Sequence, residues 1–147
     1  MNPRSEARRI ALETLYEAEI RDETPTGAWH RRSGESDQAL LDADLDDRGR
    51  DEAVAYAAEL VRLVESNEPR IDELISTYAD RWSLQRMPVV DRCIARMATA
   101  ELLAGSVPVA VVANEAVELA KALSTDDSPR YLNGLIGRLA EVVAEAD

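Results

Sequence analysis

The feature that most constrains this chain is the spacing of its apolar residues, which recur three or four positions apart through most of its length and nowhere alternate with period two. A stripe of that period is buried only by a helix packed against other helices, so the pattern predicts an all-α protein. The first segment opens at Asn2-Pro3, a capping residue followed by a proline at the first helical position, and carries Ala7, Ala11, Leu15 and Ala18 on one face. It ends before Pro25-Thr26-Gly27. A second helix over about 50–66 aligns Val54, Ala57, Ala58, Val61 and Val64 and stops at Asn67-Glu68-Pro69. A third shows Ile71, Leu74, Ile75 and Tyr78, with Trp82 in the connection that follows. Pro88 opens a fourth, with Val90, Cys93, Ile94, Met97 and Ala98, which Gly105 closes. Pro108 opens a fifth with Val109, Val112, Ala113, Ala116, Val117 and Ala120. Ser128-Pro129 begins the last, with Leu132, Leu135, Ile136, Leu139, Val142 and Val143.

Residues 22–50, with Gly27, Ser33-Gly34, Ser36 and the acidic run Asp42 to Asp47, are expected to form a long polar connection with at most one helical turn near Gln38 to Leu41. Short links favour antiparallel neighbours, so a compact single-domain bundle of about six to seven helices is expected over 1–147. The last five helices should form its body, with the first packed across them. A chain of 147 residues suits one domain. With 46% apolar and 31% charged residues, its composition is that of a soluble globular protein. No run approaches the roughly 20 apolar residues that span a bilayer. The start Met1-Asn2-Pro3-Arg4-Ser5-Glu6 lacks a secretory pattern, and Cys93 has no second cysteine to pair with, which together predict a cytoplasmic protein. Cys93 is expected to act as a small buried hydrophobe.

Catalysis fails at each usual entry. There is no glycine-rich phosphate loop, no His-x-x-x-His pair and no Gly-x-Ser-x-Gly elbow. The single histidine, His30, sits beside Arg31 and Arg32 as a solvated residue. One histidine and one cysteine do not make a zinc site, so no metal, cofactor or enzyme activity is expected.

The formal net charge of −12 opposes a free-standing nucleic-acid binder. Its distribution is uneven. Residues 22–69 hold 13 acids against 5 bases and residues 97–147 hold 8 against 3, whereas 1–21 are balanced at 4 and 4 and 70–96 carry 4 acids and 5 bases. Sixteen of the 17 bases are arginine, suited to bidentate phosphate contact, although a coding bias gives the same skew. Arg4, Arg8 and Arg9 crowd the first turns, where Arg4 and Arg8 as i,i+4 neighbours can track a phosphate backbone from one helix face; the alternative is a solvated face that pairs locally, for instance Arg9 with Glu13 or Glu6. Asp91 and Arg96 lie five apart, beyond an ideal mutual bridge, so each is expected to be free for an outside partner. Asn133-Gly134 interrupts an apolar helical pattern at a cost in helix stability, which a close crossing at Gly134 and a buried hydrogen bond from Asn133 should offset. Tyr131 suits either stacking on a base or closing the core edge.

Four ordered blocks resemble the NusB family. They are Ala7-Arg8-Arg9 with Ala11-Leu12 and Leu15-Tyr16; Trp82-Ser83-Leu84 with Val90-Asp91-Arg92 and Arg96; Val112-Ala113-Asn114-Glu115-Ala116-Val117-Glu118-Leu119-Ala120-Lys121 behind Pro108; and Tyr131-Leu132-Asn133-Gly134-Leu135-Ile136. The resemblance implies a transcription antitermination factor that binds boxA RNA in ribosomal RNA leaders and spacers. It implies that this happens together with the ribosomal protein NusE, in a complex with RNA polymerase and other Nus factors. By position it assigns RNA contact to Arg4, Arg8, Arg9, Tyr16, Asp127, Ser128, Arg130 and Tyr131, and NusE contact to Asp91 and Arg96. Glu6 dilutes the basic start, so RNA affinity of the chain alone should be weak. The resemblance leaves open whether a homodimer forms. Two other readings stay in play: a helical protein-interaction module that never touches RNA, and the RNA-binding domain of an rRNA cytosine methyltransferase, whose cofactor motif would have to lie beyond Asp147.

Overall fold

The computed structural model describes residues 2–41, 44–79 and 83–146, with backbone only for 35–41 and 146. Among these residues there are seven α-helices: α1 (Pro3–Arg21), α2 (Pro25–Leu41), α3 (Asp47–Ser66), α4 (Glu68–Tyr78), α5 (Val89–Ala104), α6 (Val109–Leu123) and α7 (Ser128–Ala146), with a 3-10 turn at Leu84–Arg86 before α5. The chain divides into two compact units, Met1–Ser66 and Asn67–Asp147. Arg81, Trp82 and Asp42 lie outside the described residues.

In the first unit α1 begins as its sequence dictates. The Asn2 side chain accepts the Arg4 backbone N–H at 2.8 Å, and Pro3 occupies the first turn. The helix stops at Asp22, which takes the left-handed conformation (φ 55°) and donates its N–H to the Ala18 carbonyl. Between these ends Ala7, Ile10, Ala11, Leu12, Leu15 and Ala18 are buried. On α3 the buried stripe is Ala53, Ala57, Leu60, Val61 and Val64, whereas Val54 and Ala58 are only half-buried. The stripe is thus turned slightly from the expected one. The helix at 50–66 packs with α1 and α2 in this unit rather than in a body with the later helices.

The long polar connection expected at 22–50 is instead mostly α2. Among its described side chains Ala28 is fully buried and Trp29 half-buried, and the next residue on the Ala28 face is Arg32, with only 9% of its side chain exposed, an interruption that hid the helix from periodicity. Arg32 is tolerated there because α1 supplies its partners. Its Nε lies 2.8 Å from Glu17 Oε2 and its Nη1 donates to Thr14 Oγ1 at 3.1 Å. Thr14 in turn donates to the Ile10 carbonyl. Arg31 forks onto Glu23 and reaches Glu17 at 2.9 Å. The other flank is tied to α3, where Glu65 accepts the Thr26 N–H at 3.1 Å and its hydroxyl at 2.7 Å. Thr24 starts the helix, its hydroxyl accepting from Gly27 N–H. Each alanine of this core buries little apolar area but lets helices approach closely, so polar contacts carry much of the specificity of packing.

The second unit has the larger side chains. Ile71 and Ile75 of α4, Ile94 and Met97 of α5, and Leu132, Leu135, Ile136 and Leu139 of α7 are fully buried, each stabilising by about 1.5–3 kcal/mol. Cys93 is buried among them. Helix α5 is enclosed on most of its circumference, with Asp91, Ala95, Thr99, Ala100 and Glu101 also buried, and it packs against α4, α6 and α7. Arg92 donates to the Leu84 carbonyl at 3.1 Å, fixing the 3-10 turn onto α5. Gly105 ends α5 with φ 74°, where a side chain would be strained. No helix among the described residues is long and apolar enough to cross a membrane.

Two outcomes are expected from this packing. Arg32→Ala should lower the unfolding free energy by about 2 kcal/mol in urea titrations, since it strands Glu17 and Thr14; a loss below 0.5 kcal/mol contradicts the role given to Arg32. The hydrogen bond from Arg31 holds the Glu23 carboxyl below its ordinary range. A depressed folded pKa contributes stability above the unfolded value and loses it as pH falls through the folded one. The denaturation midpoint should therefore drop below about pH 4, and less so in Glu23→Gln.

Candidate nucleic-acid interface

In the first unit, the i,i+4 spacing of Arg4 and Arg8 does bring the two side chains together, over the ring of Tyr56 on α3. The Arg4 guanidinium carbon lies 4.0 Å from the ring centroid and that of Arg8 5.5 Å. Arg4 also approaches Glu52 at 3.9 Å and keeps 47% of its side chain exposed. Arg8 is buried, so the expectation that both guanidinium groups lie open on one face is corrected. Its long side chain fills the space under Arg4 while the aromatic face accommodates its charge. Tyr56 was missed in the sequence because it lies off the apolar stripe, and nothing in its spacing links it to residues some fifty positions earlier.

Arg9 follows the local-pairing alternative. Its Nη2 and Nε donate to Glu6 Oε2 at 2.7 and 3.2 Å, and its Nη1 to Glu13 Oε1 at 2.7 Å. Burial works against its charge, but the Glu6 hydrogen bond and the charges of Glu13 and Glu6 outweigh it and hold the guanidinium pKa above its ordinary value. Tyr16 is exposed, as is Ile20 one turn on, which makes an aromatic-aliphatic patch on the last half of α1.

In the second unit, two residues given separate roles by the sequence prove to be one structure. Asp91 is completely buried, and its carboxylate accepts the Ser128 hydroxyl at 2.7 Å and the Ser124 hydroxyl on its other oxygen. Each serine has a single proton, already directed at Asp91, so the 2.7 Å contact of Thr125 with Ser128 is donated by Thr125. The brace pins the 124–128 turn and the start of α7 to α5. Asp91 is therefore not free for an outside partner; its exposure was misjudged because the serines that bury it lie more than thirty residues away. Arg96 is also committed, its Nε and Nη2 donating to the two Asp72 carboxylate oxygens of α4 at 2.9 and 3.1 Å.

What the brace orients is the first turn of α7. Asp127 and Arg130 are exposed there, Ser128 is buried and Tyr131 half-buried, with the Tyr131 N–H donating to the Asp127 carbonyl. Beside this turn α6 and α7 flank an open groove of about 550 Å³, lined by Ala110, Ala113, Asn114 and Val117 on one side and Pro129, Arg130 and Asn133 on the other. Asn133 and Gly134 both face outward, and a Cβ added at Gly134 would meet nothing within 4 Å. The expected close crossing and buried hydrogen bond are absent, because α7 turns its leucine stripe inward and leaves the Asn-Gly pair on the far side.

Three or more acidic, histidine or cysteine side chains poised to hold a metal ion do not occur among the described residues. Removing the brace makes a direct test of the arrangement: Asp91→Ala should cost about 3 kcal/mol of stability, because the shared acceptor of two hydroxyls disappears from a buried site. A change under 0.5 kcal/mol in urea unfolding would contradict it.

The model of the NusB family matches residues 5–141. The transcription antitermination protein NusB of Salinispora arenicola is 44% identical over 142 residues, covering 96% of this chain and 97% of its own. Among solved structures, NusB from T. maritima superposes with a TM-score of 0.74 at 33% identity, covering 94% of this chain and 90% of that one. A structure of the antitermination factors NusB and NusE in complex with dsRNA gives a TM-score of 0.76 at 24% identity over 97% of this chain and 98% of that one, a likeness of fold. A match along nearly the entire sequence, joined to an all-helical structure of the same fold, places this chain in the NusB family.

Proposed function

We propose that this protein is a transcription antitermination factor that acts in the bacterial cytoplasm. In this reading it binds boxA RNA of nascent ribosomal transcripts jointly with NusE, and it delivers that complex to RNA polymerase and other Nus factors. It works by assembly, without covalent chemistry. The observation that carries this reading is the family match over residues 5–141, which takes in relatives named as antitermination proteins. A structure of the same fold that holds NusE and RNA supports the choice of partners.

The geometry sorts the candidate contacts. On α1, Arg4 is the phosphate contact, held by the Tyr56 face, with Arg8 behind it and Tyr16 exposed for stacking. On α7, Arg130 and Tyr131 are the equivalent pair, with Asp127 beside them and Ser128 acting through the Asp91 brace. Arg9 contributes only after exchanging Glu6 and Glu13 for phosphate. Arg96, paired with Asp72, remains the candidate for NusE contact on α5; Asp91 is withdrawn from that role. Single-stranded RNA suits contacts of this kind, because unstacked bases offer faces to aromatic side chains.

The test is a titration of boxA RNA at several salt concentrations, with NusE present. Wild type should bind with log affinity falling linearly against log salt, and Arg4→Ala with Arg130→Ala should lose about tenfold and flatten the slope by roughly one to two charges. Tyr56→Ala should lose about as much as Arg4→Ala, while Tyr56→Phe retains affinity. Binding that ignores both salt and these substitutions, or no binding at all, would instead favour a helical protein-interaction module, the reading that suits a net charge of −12.

A further inference from the structure

The groove between α6 and α7 gathers uncommitted polar groups from two helices. Several arginines and the lysine are by contrast spent on carboxylates: Arg9 on Glu6 and Glu13, Arg31 on Glu17 and Glu23, Arg62 on Glu59, Arg96 on Asp72, Lys121 on Glu118. In the groove, the Asn114 and Asn133 amides make no hydrogen bond among the described residues, and Arg130 has no ion-pair partner among them. No carboxylate belongs to the lining, in a chain of net charge −12. The rest of the lining is small and apolar: Ala110, Ala113, Val117 and Pro129.

We infer that this groove holds one unstacked base of the bound single-stranded RNA, with Asn114 and Asn133 hydrogen-bonding its edge and Arg130 meeting the adjoining phosphate. The inference rests on the RNA-binding reading above and adds to it a place where sequence is read. Each amide offers a donor pair and an acceptor on a planar group, which is the complement of a base edge with adjacent donor and acceptor atoms. A flat apolar base face packs on Ala113 and Val117, where a larger side chain would fill the space. The cation at the rim and the absence of lining carboxylates suit a polyanion, whereas an acidic lining would repel it. The position also accounts for the Asn-Gly pair in α7. Asn133 is tolerated at a solvent-facing site for what it binds, and Gly134 is exposed next to it.

The experiment combines substitution with base removal. BoxA RNA oligonucleotides, each with one abasic position, are titrated by fluorescence anisotropy against wild type and Asn114→Ala/Asn133→Ala, with NusE present. Both asparagines are on the surface side of their helices, and thermal melts verify that the variant folds. Wild type should lose about tenfold at one abasic position. The variant should lose about tenfold on the intact oligonucleotide and suffer no further loss at that position, while its salt dependence stays that of wild type. If the variant binds intact RNA like wild type, or the abasic penalty persists in it, the groove does not hold a base, and the RNA-binding reading stands without it. If the variant instead loses NusE affinity by calorimetry with the abasic pattern unchanged, the groove is a protein site and the inference is overturned. Wild type that shows no salt-dependent RNA binding overturns both.

Discussion

The neutralisation of arginine by carboxylates within the first three helices is the interaction on which the first unit depends. Glu17 of α1 takes both Arg31 and Arg32 of α2, and among the described side chains of α2 the apolar burial besides this is Ala28, with Trp29 half-buried. A fully exposed pair contributes little, but Arg32 is nearly enclosed and hydrogen-bonded on more than one side, so its partners decide whether the helix can dock at all. The same chemistry restrains Arg9, whose guanidinium is held by Glu6 and Glu13. A protein of net charge −12 that presents few uncommitted cations is poorly equipped to hold RNA by itself. It suits a role in which a second protein completes the surface.

The second unit solves a different problem. Its core of large aliphatic side chains gives stability, but the outward segment at the start of α7 has to be held in one orientation to be useful. Asp91 does this from inside, spending a buried carboxylate on Ser124 and Ser128. A satisfied buried polar network of this kind fixes geometry more than it adds net stability. The groove beside it then presents Asn114, Asn133 and Arg130 from two helices whose relative position is set by the same leucine stripe that fills the core.

Helices whose stripes are made of leucine, isoleucine and valine were legible from spacing alone, as α4, α5 and α7 were, and their ends followed from Asn67-Glu68-Pro69, Pro88, Gly105 and Ser128-Pro129. Helix α2 was not, because an arginine stands where the pattern needs an apolar residue and its partners belong to another helix. Division into two units was hidden for a related reason: periodicity says which face a helix buries, not against which neighbour. Among the candidate site residues assigned through family resemblance, Arg4 and Arg130 are exposed and Tyr131 is half-buried. Asp91 was assigned to a partner because residues more than thirty positions away decide its burial. Tyr56 carried no signal at all, since a lone tyrosine off the stripe is indistinguishable from any other surface aromatic until the fold brings Arg4 over it.

The central claim is that this NusB-family chain supplies part of an RNA-binding surface that NusE completes. The most direct measurement is the coupling free energy between the two ligands, from boxA RNA affinities of the chain alone, NusE alone and the two together at fixed salt. NusE should raise the RNA affinity of the chain by at least about tenfold, and RNA should raise the affinity for NusE by the same factor, as linkage requires. An RNA affinity of the chain that is unchanged by NusE would contradict that claim.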